Sequence, residues 1–108
     1  MLKLKPMKTI AVLTPYVRSF DVYVRENKDK HTDTMFVHIS NMHQLHGREF
    51  HGVVAGHDWY KLDRVVIDGS IVRMININPL GGNRLHDMFK EYWNELVDSG
   101  HAEGRWEE

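Results

Sequence analysis

Hydrophobic positions along the chain fall into short runs separated by polar or glycine-containing breaks, and most of the runs carry a strand signature. Residues 8–14 (KTIAVLT) are rich in β-branched side chains and stop at Pro15, which predicts a first strand. Residues 19–25 (SFDVYVR) alternate strictly: Phe20, Val22 and Val24 share one face, Asp21, Tyr23 and Arg25 the other. A period of two predicts a second strand with two differently dressed faces. Residues 26–33 (ENKDKHTD) form a charged loop, and residues 34–39 (TMFVHI) a third strand. A turn or short helix follows over 40–47, with Ser40 or Asn41 to cap it and Gly47 to stop it. Residues 50–55 read as a short strand, and residues 64–77 as a hairpin, because Asp68-Gly69 stands between two β-branched runs.

The period changes after Pro79-Leu80-Gly81-Gly82. Asn83 is a natural helix cap, and Leu85, Met88, Phe89, Tyr92, Leu96 and Val97 recur at helical spacing up to a stop at Gly100. The expected fold is therefore mainly β, an OB-like β-barrel over residues 7–78, closed by one C-terminal α-helix over 83–99 and followed by an acidic tail over 101–108. A short strand-rich chain commonly closes into a barrel because closure removes exposed edges.

Composition narrows the class. A chain of 108 residues with 42% hydrophobic content fits a single domain with a real core. No apolar run is long enough to span a bilayer, and the basic start MLKLKPMK has no apolar stretch or cleavage site, so neither a membrane span nor a signal peptide is expected. The absence of cysteine removes disulfides and thiol chemistry and fits a cytoplasmic setting. The net charge is −1, but residues 1–30 carry seven Lys/Arg against three Asp/Glu, whereas residues 76–108 carry three against seven. An anionic partner is therefore expected to meet the N-terminal third.

Within the third strand, Met35, Val37 and Ile39 share the core face, which leaves Phe36 and His38 on the other. Flat rings spaced two residues apart can stack successive bases of an unpaired strand, at about 1–3 kcal/mol per base. Residues 35–40 (MFVHIS) resemble the third strand of the cold-shock domain, a five-stranded OB-fold whose Val-Phe-Val-His-Phe pattern stacks Phe and His on bases. The resemblance covers about residues 7–42. Where that family has Gly-Phe-Gly-Phe in its second strand, this chain has Ser19-Phe20-Asp21-Val22-Tyr23. It implies a non-enzymatic binder of single-stranded RNA or DNA, without a cofactor, in which Phe36 and His38 stack on bases, Tyr23 or Phe20 extends the platform, and Arg25, Arg18 and Lys8 neutralise phosphates. If instead the C-terminal helix covers this face, Phe36 is core and His38 a satisfied buried histidine. The alternative function is a small regulatory protein-protein interaction module that binds and modulates a larger enzyme, with the exposed aromatics as a hot spot and the acidic helix as the second contact.

Other constellations carry less. His43, His46, His51 and His57 fall close together and could offer imidazoles to a metal, but without a recognised ligand motif. His38-Ile39-Ser40 matches half of a two-histidine phosphoesterase signature, and no second His-x-Ser/Thr exists to supply the opposing acid or base. Trp59 serves equally as a stacking ring or as a plug for one end of the barrel.

Overall fold

The computed structural model describes residues 7–30 and 32–107. The order of elements is β1 (Lys8–Leu13), α1 (Val17–Asn27), β2 (Thr34–Ile39), β3 (Gly52–Ala55), α2 (Arg64–Ile75) and α3 (Pro79–Asp98), with short 3-10 turns at Met42–Leu45 and Trp59–Lys61. The three strands form one sheet in the order β2-β1-β3, and both pairings are parallel. Lys8 stands opposite Thr34 at the start of β2, and Ile10 opposite Gly52 at the start of β3.

This overturns the mainly β expectation. The chain is an α/β protein with an open parallel sheet, not a closed OB-like barrel. Parallel strands cannot be joined by a tight hairpin, so each connection must cross over, usually as a helix. That demand converts residues 17–27 into α1. Their alternation coexists with a second pattern: Ser19, Phe20, Tyr23, Val24 and Asn27 are the half-buried residues, at helical spacing, while Val22 is exposed.

The expected hairpin over 64–77 is the helix α2. Val66, Ile67, Ser70 and Ile71 are its buried residues, a helical repeat that the Asp-Gly pair disguises. Gly69 makes no turn. A Cβ there would lie 3.0 Å from Leu45 Cδ1, so the glycine lets the helix approach the Met42–Leu45 turn. Asn41 caps that turn, accepting from the Gln44 amide and receiving the Gln44 side chain in return.

The third helix starts earlier than Asn83. Asn78 accepts a hydrogen bond from the Gly81 amide, and Pro79 occupies the first turn, where its missing N–H costs nothing. Gly82 lies inside the helix, and a Cβ on it would sit 2.6 Å from Ile75 Cγ1. That close approach seats α3 against α2. Phe89 and Trp93 are its buried side chains, whereas Met88 and Tyr92 from the expected stripe are exposed.

The core lies on one face of the sheet. Ala11, Leu13, Ile39 and Val53 meet Leu45, Phe50, Ile67, Ile71, Phe89 and Trp93 there. The acidic tail is docked: Trp106 is buried, with its backbone N–H donating to Asn94 Oδ1 (2.7 Å) and its carbonyl accepting from Asn94 Nδ2 (3.0 Å). Among the described residues no helix is long and apolar enough to cross a membrane.

Candidate functional site

The other face of the sheet carries Phe36 and His38, as their alternation with Val37 and Ile39 requires. It is not free. α1 lies over it, with Phe20 stacked on His38 (5.2 Å between centroids) and Tyr23 edge-on to Phe36 (5.5 Å). Phe36 and His38, and both of the alternative neighbours Tyr23 and Phe20, are thus brought together, but as the packing layer between α1 and the sheet. The covering element is neither solvent nor the C-terminal helix; it is the segment that reads as a second strand. Partial burial pushes the Tyr23 phenol above its ordinary pKa.

The three basic candidates separate. Lys8 starts β1 and Arg25 lies in the last turn of α1, both at the amino edge of the sheet, whereas Arg18 lies in the first turn of α1 at the carboxyl edge. Six residues of strand put about 17 Å between those edges. Lys8, Tyr23 and Phe36 do share a groove of about 300 Å³, with Ile10, Asp33 and Thr34 in its wall.

Open parallel sheets bind ligands outside the carboxyl ends of their strands, where the chain order reverses. Here the reversal falls at β1, which is followed by β2 on one side and β3 on the other. The loops leaving β1 and β3 are locked together at that point. Thr14, fully buried, donates from its hydroxyl to the His57 carbonyl (2.7 Å) and accepts from the Tyr16 amide (3.3 Å). His38 Nε2 donates to the Thr14 carbonyl (2.8 Å), and this bond joins the end of β2 to the same loop. Gly56 permits the crossing: a Cβ there would meet the Leu13 carbonyl oxygen at 2.8 Å.

On this base stand four exposed or half-exposed polar groups. Tyr16 precedes α1, with its ring 6.2 Å from that of His57 and its hydroxyl 3.5 Å from Lys61 Nζ. Lys61 Nζ is 3.2 Å and His57 Nε2 3.5 Å from Asp58 Oδ2. Asp58 adopts a left-handed backbone (φ 57°), and among the described residues it is the one non-glycine position that does. Left-handed backbone is uncommon outside glycine, and Asp is among the residues that tolerate it best. Desolvation works to raise the Asp58 pKa, but the Lys61 hydrogen bond, the charges of His57 and Lys61, and the Tyr60 hydroxyl outweigh it, so the carboxyl stays below its ordinary value. The Asp58 and Tyr16 hydrogen bonds raise the pKa of Lys61 in turn.

The start of α1 adds to the positive character. Tyr16 makes no side-chain capping bond, and the first turn carries Arg18 but no acidic residue. The first amides of an uncapped helix point partial positive charge outward. Sequence reasoning missed this edge, because a parallel sheet was not expected. The usable signals were Pro15-Tyr16 after the first strand and Gly56-His57-Asp58 after the last.

The histidine group gathers no metal site. His51 Nδ1 accepts from the Thr9 amide (3.0 Å), His57 lies beside Asp58, and among the described residues no three His, Asp or Glu side chains could hold one ion. Comparison with family models, with curated proteins and with solved structures gives no match.

Proposed function

We propose that the protein binds a phosphate-bearing nucleotide unit at the carboxyl edge of its sheet. The observation that carries this reading is the convergence of Tyr16, His57 and Lys61 at the point where the strand order reverses. The open amides of α1, with Arg18, suit a phosphate. The exposed Tyr16 ring suits a base or sugar. A single strand of RNA or DNA repeats the same unit, so binding of a strand end belongs to this reading, with Arg18 rather than Lys8 or Arg25 as its cation. The setting is cytoplasmic, where nucleotides are abundant and a cysteine-free chain is at no disadvantage.

The test is a chemical-shift titration with a mononucleotide and, separately, a short single-stranded oligonucleotide, each at low and moderate salt. Saturable shifts centred on residues 14–20 and 56–61 are expected, weakening with salt. Lys61→Ala should cost about tenfold in affinity, the effect of one charge-assisted hydrogen bond. A folded protein that responds to neither probe at low salt refutes the reading.

A further inference from the structure

The geometry points to a second site, between the start of α2, α3 and the returning tail: a cleft that takes a small organic oxyanion with a flat apolar body. The cleft is open to solvent, spans about 480 Å³ and is lined by Arg64, Val65, Asp68, His86, Arg105, Trp106 and Glu107. Three separate stretches of chain build it, namely the first turns of α2, the first half of α3, and the returning tail.

Arg64 is the centre of the argument. Its Nη1 donates to the carbonyls of Gly104 (3.2 Å) and Arg105 (2.8 Å), and its guanidinium lies over the rings of Trp93 (5.6 Å) and Trp106 (5.9 Å). A guanidinium has five N–H donors. Two are used, and among the described residues no carboxylate pairs with this cation. The remaining donors belong to Nε and Nη2, the edge that binds carboxylate or phosphate in a two-pronged fashion. The backbone carbonyls and indoles fix the plane of the group, so little side-chain entropy remains to be lost when an anion docks.

Three of the other ionic groups in the cleft, His86, Asp68 and Arg105, are already matched. His86 Nε2 lies 2.8 Å from Asp68 Oδ1, and Arg105 Nη1 lies 2.8 Å from Asp98 Oδ1. A carboxylate only accepts, so the His86 proton sits on Nε2. Glu107 also lines the cleft, as an exposed carboxylate that does not reach Arg64. Among the described residues, Arg64 is thus left as the one cation lining the cleft without a carboxylate partner. Beside it, Val65 is 60% exposed, and Trp106, 8% exposed, also lines the cleft. These two surfaces suit the flat apolar body of the ligand, and Arg64 its oxyanion.

The test uses benzoate, phenyl phosphate and neutral benzyl alcohol as probes, read on the Trp106 indole N–H signal of the full chain. Both anions are expected to shift that signal saturably in the millimolar range, the alcohol at least tenfold more weakly. The arms separate the two anion chemistries: benzoate alone identifies a carboxylate site, phenyl phosphate alone a phosphate site. Arg64→Gln should abolish the difference between the anions and the alcohol. Because Arg64 also anchors the tail, Val65→Trp gives an independent check, filling the cleft from an exposed position while leaving the anchor in place; it should weaken both anions at least tenfold. Equal responses to anions and alcohol, or unchanged anion binding in Val65→Trp, overturn the proposal. Lys61→Ala, which acts at the sheet edge, should leave these titrations unaltered.

Discussion

Toward α2 the sheet presents Ala11, Leu13, Ile39 and Val53, each no more than 5% exposed, with the half-buried Val37 and the exposed Met35 at its outer strand. Toward α1 it presents Ile10, Phe36 and His38, all half-buried, beneath a helix that buries no residue of its own. Only Val12, in the middle of the central strand, is fully buried on that side. Both faces are covered, as a parallel sheet requires. They are covered to different depths, and the difference separates stability from adaptability. The α2 face supplies the dry, multi-layered core. The α1 face is held by a row of aromatic contacts and leads directly into the uncapped helix start at the carboxyl edge. Low local burial is the property expected of elements that open or adjust first.

The largest test of this contrast pairs two identical truncations. Phe50→Ala, in the deep core, should cost about 3–5 kcal/mol by urea unfolding. Phe20→Ala, in the shallow layer over His38, should cost about 1–2 kcal/mol, since the ring is only partly buried and the lost ring pair is worth ~1 kcal/mol. Equal costs would mean that α1 contributes to stability as α2 does. Next in size is Gly82→Ala, expected to destabilise by about 1–3 kcal/mol because the added methyl must push α3 off the Ile75 backbone. The same change at Gly104, where a Cβ meets nothing within 4 Å, acts only through its positive φ and should cost ~1 kcal/mol. Hydrogen exchange sharpens the comparison without mutation: amides of α1 should exchange through local opening, those of α2 only with global unfolding.

The smallest expected effect is that of pH on the edge network. The folded Asp58 pKa is depressed, so its contribution is present above its unfolded value of about 3.9 and is lost as pH falls through the folded value. The folded Lys61 pKa is raised, so its contribution is present below about 10.4 and is lost as pH rises through the folded value. Between those limits the network stays closed. Asp58→Asn should flatten the acid arm of the stability profile, and an unchanged acid arm would show that the network contributes nothing there.

Much of the local structure was legible. The strand over 34–39 forms as the alternation indicates, the run beginning at Lys8 forms β1, and Gly100 ends the last helical segment with a φ of 83°. Phe36 and His38 do lie on the sheet face opposite Ile39, but Phe20 and Tyr23 both reach them from a helix, where a strand would have offered only one of the two. What covers them was not legible. Residues 19–25 satisfy a period of two and a helical period at once, and a short β-branched run cannot choose between them. Asp68-Gly69 is a strong hairpin signal only while the residues on either side are strands; in a helix the same pair offers a carboxylate to His86 and a flat spot to Leu45.

By itself the sequence determined where apolar side chains gather, where the chain must break, and which residues share a face along each segment, because these depend on covalent spacing and local backbone preference. The tertiary structure decided that the strands run parallel, that the connection from β1 to β2 is therefore a crossover helix, and that Tyr16, His57 and Lys61 meet at one edge. Those outcomes depend on pairing between segments up to about forty residues apart, which is settled by the joint burial of both sheet faces rather than by any local pattern.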